Sequence, residues 1–143
     1  MKSNSISPFR LAISKSMKKH LLHGFIAGII AGIIAIIYLR IYQKILFLDF
    51  NSVLNHYSIV GACTFSTILM ASSYWTLERL NKSKLKGVVN ILIILFSFLS
   101  VLVPISISLP LDVEFPELFP GLAIPMHFFP ALIFFGIQPF FLK

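Results

Sequence analysis

The stretch "HGFIAGIIAGIIA", residues 23–35, decides how this chain folds. Two rows of small residues recur there at every fourth position, Gly24, Gly28 and Gly32 in one row and Ala27, Ala31 and Ala35 in the other. Residues four apart lie on one face of a helix, so this helix presents a flat strip along which another backbone can approach closely. The stretch therefore predicts a glycine zipper, a membrane helix that packs through its small residues.

The composition of the whole chain agrees with a location in a membrane. Hydrophobic residues make up 57% of the 143 residues, charged residues only 12%, and the mean hydropathy is +0.92. A soluble domain carries about 25% charged residues. The composition indicates an integral membrane protein and leaves little sequence for a separate soluble domain.

Apolar runs long enough to cross about 30 Å of hydrocarbon predict four transmembrane helices, over residues 21–39, 57–77, 88–111 and 118–142. These runs are continuous in Ile, Leu, Val and Phe, whereas a membrane β-barrel needs alternation of apolar and polar residues. The predicted fold is an all-α integral membrane protein. A four-helix transmembrane domain over residues 21–143 follows a basic cytoplasmic or interfacial segment over residues 1–20.

Residues 1–20 have two interpretations. Ser7 is suited to cap a helix that starts at Pro8, and the apolar residues Phe9, Ile13 and Met17 then recur every fourth position. That pattern favours an interfacial helix whose cations meet lipid phosphates. The serines of the same segment equally suit a disordered basic tail.

The fourth apolar run is interrupted by prolines, and it contains a histidine. Pro120, Pro125 and Pro130 each lack a backbone donor, which predicts that this span is kinked or broken. His127 falls near the middle of the bilayer, where an ionisable side chain is a candidate for function. The alternative is a neutral imidazole that bonds to a carbonyl freed by Pro125 or Pro130.

The distribution of cations predicts the orientation. Ten of the twelve Lys and Arg residues lie before the first span, between the second and third spans, or at the last residue: Lys2, Arg10, Lys15, Lys18, Lys19, Arg79, Lys82, Lys84, Lys86 and Lys143. The loop "DVEFPE", residues 112–117, carries only acidic charges. The positive-inside rule places both termini in the cytoplasm of a multi-pass cell-membrane protein, expected in a bacterial inner membrane. These cations form no nucleic-acid-binding motif, and the lipid bilayer is their expected partner.

The second span is a candidate partner for the glycine row. It carries two further rows of small residues at four-residue spacing, Ser58, Ala62 and Ser66 in one and Cys63, Thr67 and Ala71 in the other. Such faces are usual where membrane helices pack together, although a polar conduit is the alternative. Cys63 is the only cysteine, so its expected role is packing.

The sequence contains no catalytic constellation, so we do not expect an enzyme. His20 and His23 are three residues apart and suit two metal ligands, but no third ligand lies near them in sequence, so we expect neither a metal nor a cofactor. The interpretation that fits best is an accessory or scaffolding subunit that acts by helix–helix association with a membrane partner or a second copy. One alternative is a small transporter or channel with His127 at its polar site. A bacteriocin-immunity-like membrane protein is a further alternative, because four short spans with basic cytoplasmic segments suit several unrelated groups.

Overall fold

The computed structural model describes residues 8–107, 109 and 115–141, with side chains from residue 15 onward. Of these residues, 87% are helical and none forms a strand. The helices are α1 (Pro8–Leu46), α2 (His56–Arg79), α3 (Lys86–Ser100), the short α4 (Leu102–Ser106) and α5 (Phe119–Phe141). The predicted all-α fold is confirmed. The first half of the acidic loop 112–117, the end of the third predicted span and the residues at both chain ends lie outside the described residues.

Three segments of the described chain are long and apolar enough to cross a membrane, namely Lys15–Leu46, Ser83–Ser106 and Pro116–Phe141. The second of these joins α3 and α4, which are separated only by Val101. Helix α2 has sufficient length but is not among the three. Its many Ser and Thr residues lower its mean hydropathy, because hydroxyl groups are costly to place in hydrocarbon.

The predicted interfacial helix and the first predicted span are one continuous helix. Helix α1 begins at Pro8 and runs for 39 residues to Leu46. Proline is well suited to this position, because the first turn of a helix does not use its backbone N–H groups. Residues 8–20 are therefore helical in the structure, as the first of the two interpretations predicts.

The glycine row of α1 packs directly against α2. A Cβ atom at Gly24 would lie 2.8 Å from the Thr67 carbonyl oxygen, and one at Gly32 would lie 3.0 Å from the Val60 Cα atom. At Gly28 an added Cβ would collide with the Thr64 backbone. The two helices can approach this closely only because the glycines have no side chains.

The alanine row of α1 is equally buried, and it contacts the rest of the bundle core. Ala27, Ala31 and Ala35 are fully inaccessible to solvent. Ala31 and Ala35 pack with Cys63 of α2 and with residues of α5 that include Leu122, and Ala27 packs near Phe134. Helix α1 is therefore the central helix, with α2 and α5 packed against it.

Helix α5 is continuous from Phe119 to Phe141 even though Pro125, Pro130 and Pro139 lie inside it. Of the two forms predicted for this span, the broken one is not present. One reason is that neighbouring side chains replace missing backbone hydrogen bonds. Pro125 cannot donate to the Gly121 carbonyl, and the Tyr38 hydroxyl of α1 donates to that oxygen at 3.0 Å.

Candidate functional site

A groove of about 810 Å³ lies between α2 and α3, with α5 at its base. We call it the lateral groove. Its walls include Ser58, Ala62, Ser66 and Ser73 of α2, Ile93, Phe96, Ser97 and Ser100 of α3, and Ala123, Met126, His127 and Pro130 of α5. This volume is within the range of sites that hold small molecules, and the lining is mainly apolar with a few polar groups.

The α2 wall of the groove consists of small and hydroxyl-bearing side chains. Ser58 and Ala62 are exposed, and Ser66 is partly exposed. The Ser73 hydroxyl donates to the Leu69 carbonyl of its own helix. Within the described part of the chain, no hydrogen bond engages the hydroxyls of Ser58 and Ser66. None of the described helices therefore covers this row of small residues, which was predicted as a packing face.

His127 is located in the middle of α5 and lines the groove. Its Nδ1 atom is 2.8 Å from the Ala123 carbonyl oxygen, which can only accept a hydrogen bond. Nδ1 therefore carries the proton in the neutral ring, and Nε2 is left as an acceptor. The predicted bond to a proline-freed carbonyl is wrong, because Pro125 and Pro130 free the carbonyls four residues before them, at Gly121 and Met126.

The predicted helix-packing residues of α1 are all buried inside the chain itself. Gly24, Gly28 and Gly32 contact α2, and Ala27, Ala31 and Ala35 lie in the core. The prediction that α2 is a candidate partner of this face agrees with these contacts. The face is consequently not free to bind another protein.

A second group of functional candidates lies at the basic end of the bundle, where α2 ends and α3 begins. Glu78 accepts a hydrogen bond from the Ser16 hydroxyl at 2.7 Å, and its carboxylate is 3.0 Å from Nε2 of His20. Lys86 of α3 lies 3.7 Å from the other carboxylate oxygen. We call these four residues the Glu78 cluster. It connects α1, α2 and α3 through one carboxylate.

Further hydrogen bonds tie α5 to the same end of the bundle. The Tyr74 hydroxyl of α2 donates to the Asn90 side chain of α3. His23 of α1 is fully buried, and its Nε2 atom donates to the Phe134 carbonyl of α5 at 3.1 Å. All four long helices are therefore joined by polar contacts at this end.

Several charges set the ionisation of Glu78. Partial burial alone would raise the pKa of this carboxyl, but hydrogen bonds from Ser16 and His20 and the charges of His20 and Lys86 together hold its pKa below the ordinary value. The carboxylate is therefore stabilised in its charged form. Sequence reasoning missed Glu78, although it is the one acidic residue beside the predicted cytoplasmic cations.

The two histidines of α1 do not form a metal site with other residues that the structure describes. In residues 15–107, 109 and 115–141, no group of three or more His, Cys, Asp or Glu side chains is placed to hold an ion. His20 instead bonds to Glu78, and His23 bonds to a backbone carbonyl. Both Nδ1 atoms are buried and have no hydrogen-bond partner there.

Comparisons with protein-family models, with curated proteins and with solved structures found no match to this chain. The geometry of the groove and of the polar contacts is therefore the basis for the functional proposals below.

Proposed function

We propose that this protein is a small four-span membrane protein that acts as an accessory or scaffolding subunit. In this proposal its termini are cytoplasmic, and a transmembrane helix of a partner protein lies in the lateral groove. The observation that carries the proposal is the uncovered α2 wall of that groove, formed by Ser58, Ala62, Ser66 and Ser73.

This wall is better suited to a helix than to lipid. Small residues at four-residue spacing let a second backbone approach, and serine hydroxyls gain about 0.6 kcal/mol each from hydrogen bonds between helices. Acyl chains provide no hydrogen-bonding group for these hydroxyls. The same hydroxyls are the reason that α2 falls below the hydropathy of the three candidate spans.

His127 adds a polar contact to the proposed interface. Its Nε2 atom is an acceptor, because Nδ1 is engaged with the Ala123 carbonyl. A Ser, Thr, Asn, Gln or Trp side chain on the partner helix can donate to it. The proposed partner helix is therefore one with a small-residue face and a donor near its middle.

The test is affinity purification of the full chain from native membranes in mild detergent, together with the variant Ala62→Leu. We expect Ala62→Leu to lower the recovery of the bound partner about tenfold, because overfilling a packed interface costs about 1 to 3 kcal/mol. The control is Gly136→Leu, which adds the same side chain to open space on α5, outside the groove lining.

The composition of the purified complex shows whether the partner is a different protein or a second copy of this chain. A second protein identifies a heteromeric complex, whereas a crosslinked homodimer identifies a second copy of this chain. Equal recovery from the wild-type protein and from Ala62→Leu would remove the groove as the interface.

A small transporter or channel is the second candidate function, and one observation favours it. His127 is an ionisable side chain that borders a groove of about 810 Å³ in the middle of the bundle. Among the described residues, no Asp, Glu, Lys or Arg side chain shares the groove lining, so a carrier of this kind would need His127 as its polar site. If the protein is such a carrier, His127→Leu reconstituted into liposomes should abolish the flux that the wild-type protein supports.

A further inference from the structure

A second cavity lies between α1 and α2 at the basic end of the bundle. Its volume is about 170 Å³, and its walls are Met17, His20, Leu21, Ala71, Ser72 and Trp75. Five of these six side chains are apolar, aromatic or small, so among the side chains that the structure describes His20 is the only ionisable one in the lining. The cavity is separate from the lateral groove, with which it shares no lining residue.

The imidazole of His20 has an unused polar atom. The residue is 99% buried, since only 1% of its surface is exposed. Its Nε2 atom is 3.0 Å from the Glu78 carboxylate, while its Nδ1 atom is buried without a hydrogen-bond partner among the described residues. A buried polar atom without a partner costs about 1 to 3 kcal/mol, so a polar ligand group beside it would be stabilising.

One cation lies beside a wall of this cavity. The Arg79 guanidinium lies 5.5 Å from the centre of the Trp75 ring, which forms that wall. Tryptophan and basic residues together are typical of the level at which lipid headgroups meet the hydrocarbon.

We propose that this cavity is a binding site for the headgroup region of an anionic phospholipid. Met17, Leu21 and Trp75 contact the glycerol and the first methylene groups of the acyl chains. His20 Nδ1 bonds to a polar headgroup atom, and Arg79 neutralises the phosphate. Basic pockets between helices on the cytoplasmic side are known to suit such headgroups. The site requires the proposed membrane insertion but does not depend on any partner in the lateral groove.

The single tryptophan of the chain provides a direct measurement, because Trp75 is part of the cavity wall. Brominated phosphatidylglycerol and brominated phosphatidylcholine are titrated into the purified full chain in detergent, and the quenching of tryptophan fluorescence gives a dissociation constant for each lipid. We expect phosphatidylglycerol to bind at least about fivefold more tightly, which corresponds to about 1 kcal/mol for one cation near the surface. Equal constants for the two lipids would overturn the proposal.

Two variants test the site itself. Ser72→Leu fills the cavity and should remove most of the preference for phosphatidylglycerol, whereas the control Thr76→Leu adds a leucine at an exposed position of α2, outside the linings of both the cavity and the lateral groove. Arg79→Gln leaves the cavity intact and should also lower the preference, so the proposal can still be tested if Ser72→Leu does not fold. Retention of the full preference in both Ser72→Leu and Arg79→Gln would overturn the assignment to this cavity.

A free phosphate ion could bind the same cavity as the phosphate of a lipid headgroup. A competition experiment with inorganic phosphate distinguishes the ion from the lipid. Inorganic phosphate added at millimolar concentration should leave the quenching by phosphatidylglycerol unchanged, because the ion lacks the apolar contacts. Displacement of the lipid by inorganic phosphate would show that the site recognises the ion alone, and it would overturn the lipid assignment.

Discussion

At the scale of single residues, Glu78 has the largest number of polar partners in the bundle described here. Its carboxylate accepts a hydrogen bond from Ser16 of α1, and it forms ion-pair contacts with His20 of α1 and with Lys86 of α3. Ser16 and Glu78 are 62 residues apart in sequence, so this one side chain connects α1 with α2 and α3. The carboxylate is about one third exposed, which reduces the energy of each contact through screening by water.

The depressed pKa of Glu78 predicts a specific dependence of stability on pH. A carboxyl whose pKa is lower in the folded state stabilises the fold at pH values above its unfolded pKa, ordinarily about 4.5, and this stability is lost as the pH falls through the folded pKa. We expect Glu78→Gln to lower the free energy of unfolding in detergent by about 1 to 2 kcal/mol at pH 7. The variant should also lose less stability than the wild-type protein between pH 6 and pH 3.

The matched control for this measurement is Glu117→Gln at the opposite end of the bundle. Glu117 is exposed at the turn that precedes α5, so its removal should change the free energy of unfolding by less than about 0.5 kcal/mol. If Glu78→Gln and Glu117→Gln have the same effect at pH 7, the Glu78 cluster does not stabilise the bundle.

At the scale of the helices, the contact between α1 and α2 depends on glycine. The spacing of Gly24, Gly28 and Gly32 was sufficient to predict a close-packed face, because helical periodicity is a local property of the sequence. It was not sufficient to predict that the face is occupied within the chain. That outcome depends on which helices pair, and pairing joins residues such as Gly28 and Thr64 that are distant in sequence.

The polar contacts were harder to predict from the sequence, because they also join residues that are distant in sequence. The bond between His20 and Glu78 and the bond between Tyr38 and the Gly121 carbonyl both join different helices. No short motif marks either pair. The depth of His127 in a bilayer remains a prediction from counting residues, and its bond to the Ala123 carbonyl depends on the rotamer of its side chain.

We expect Gly28→Ala to lower the free energy of unfolding by about 1 to 3 kcal/mol, because the added methyl group meets the Thr64 backbone and the Thr67 hydroxyl at 2.6 Å. Gly61→Ala on α2 is the control. No atom lies within 4 Å of the position of its added Cβ. Gly61→Ala should raise the free energy of unfolding by about 0.5 to 1 kcal/mol, because alanine favours a helix over glycine. Equal stability of the two variants in a denaturant titration in detergent would show that α1 and α2 do not pack through Gly28.

At the scale of the whole molecule, the helices have unequal roles. Helices α1, α2 and α5 share the buried core, whereas α3 exposes many large apolar side chains, among them Ile91, Leu95 and Phe98. Polar bonds hold α3 to the basic end through Lys86 and Asn90. The lateral groove lies on the side of α3 that faces α2, where packing against the rest of the bundle is sparse.

The proposed orientation places the link between α2 and α3 in the cytoplasm and the start of α5 outside. The test uses single cysteines at Lys84 and Glu117 in a background where the buried native Cys63 is replaced by alanine. A membrane-impermeant maleimide should label Glu117→Cys in intact cells and Lys84→Cys only after permeabilisation. Labelling of both positions in intact cells would contradict the four-span topology.

The hydroxyl of Tyr38 has a consequence for the order in which the chain is made. The ribosome synthesises α1 before α5. The Tyr38 hydroxyl, which donates to the Gly121 carbonyl, is therefore present before the proline-rich helix is made. Without that donor, the segment would enter hydrocarbon with an unmet carbonyl, at a cost of several kcal/mol. In the proposed membrane orientation, α5 therefore inserts next to α1, which already provides the Tyr38 donor for the Gly121 carbonyl.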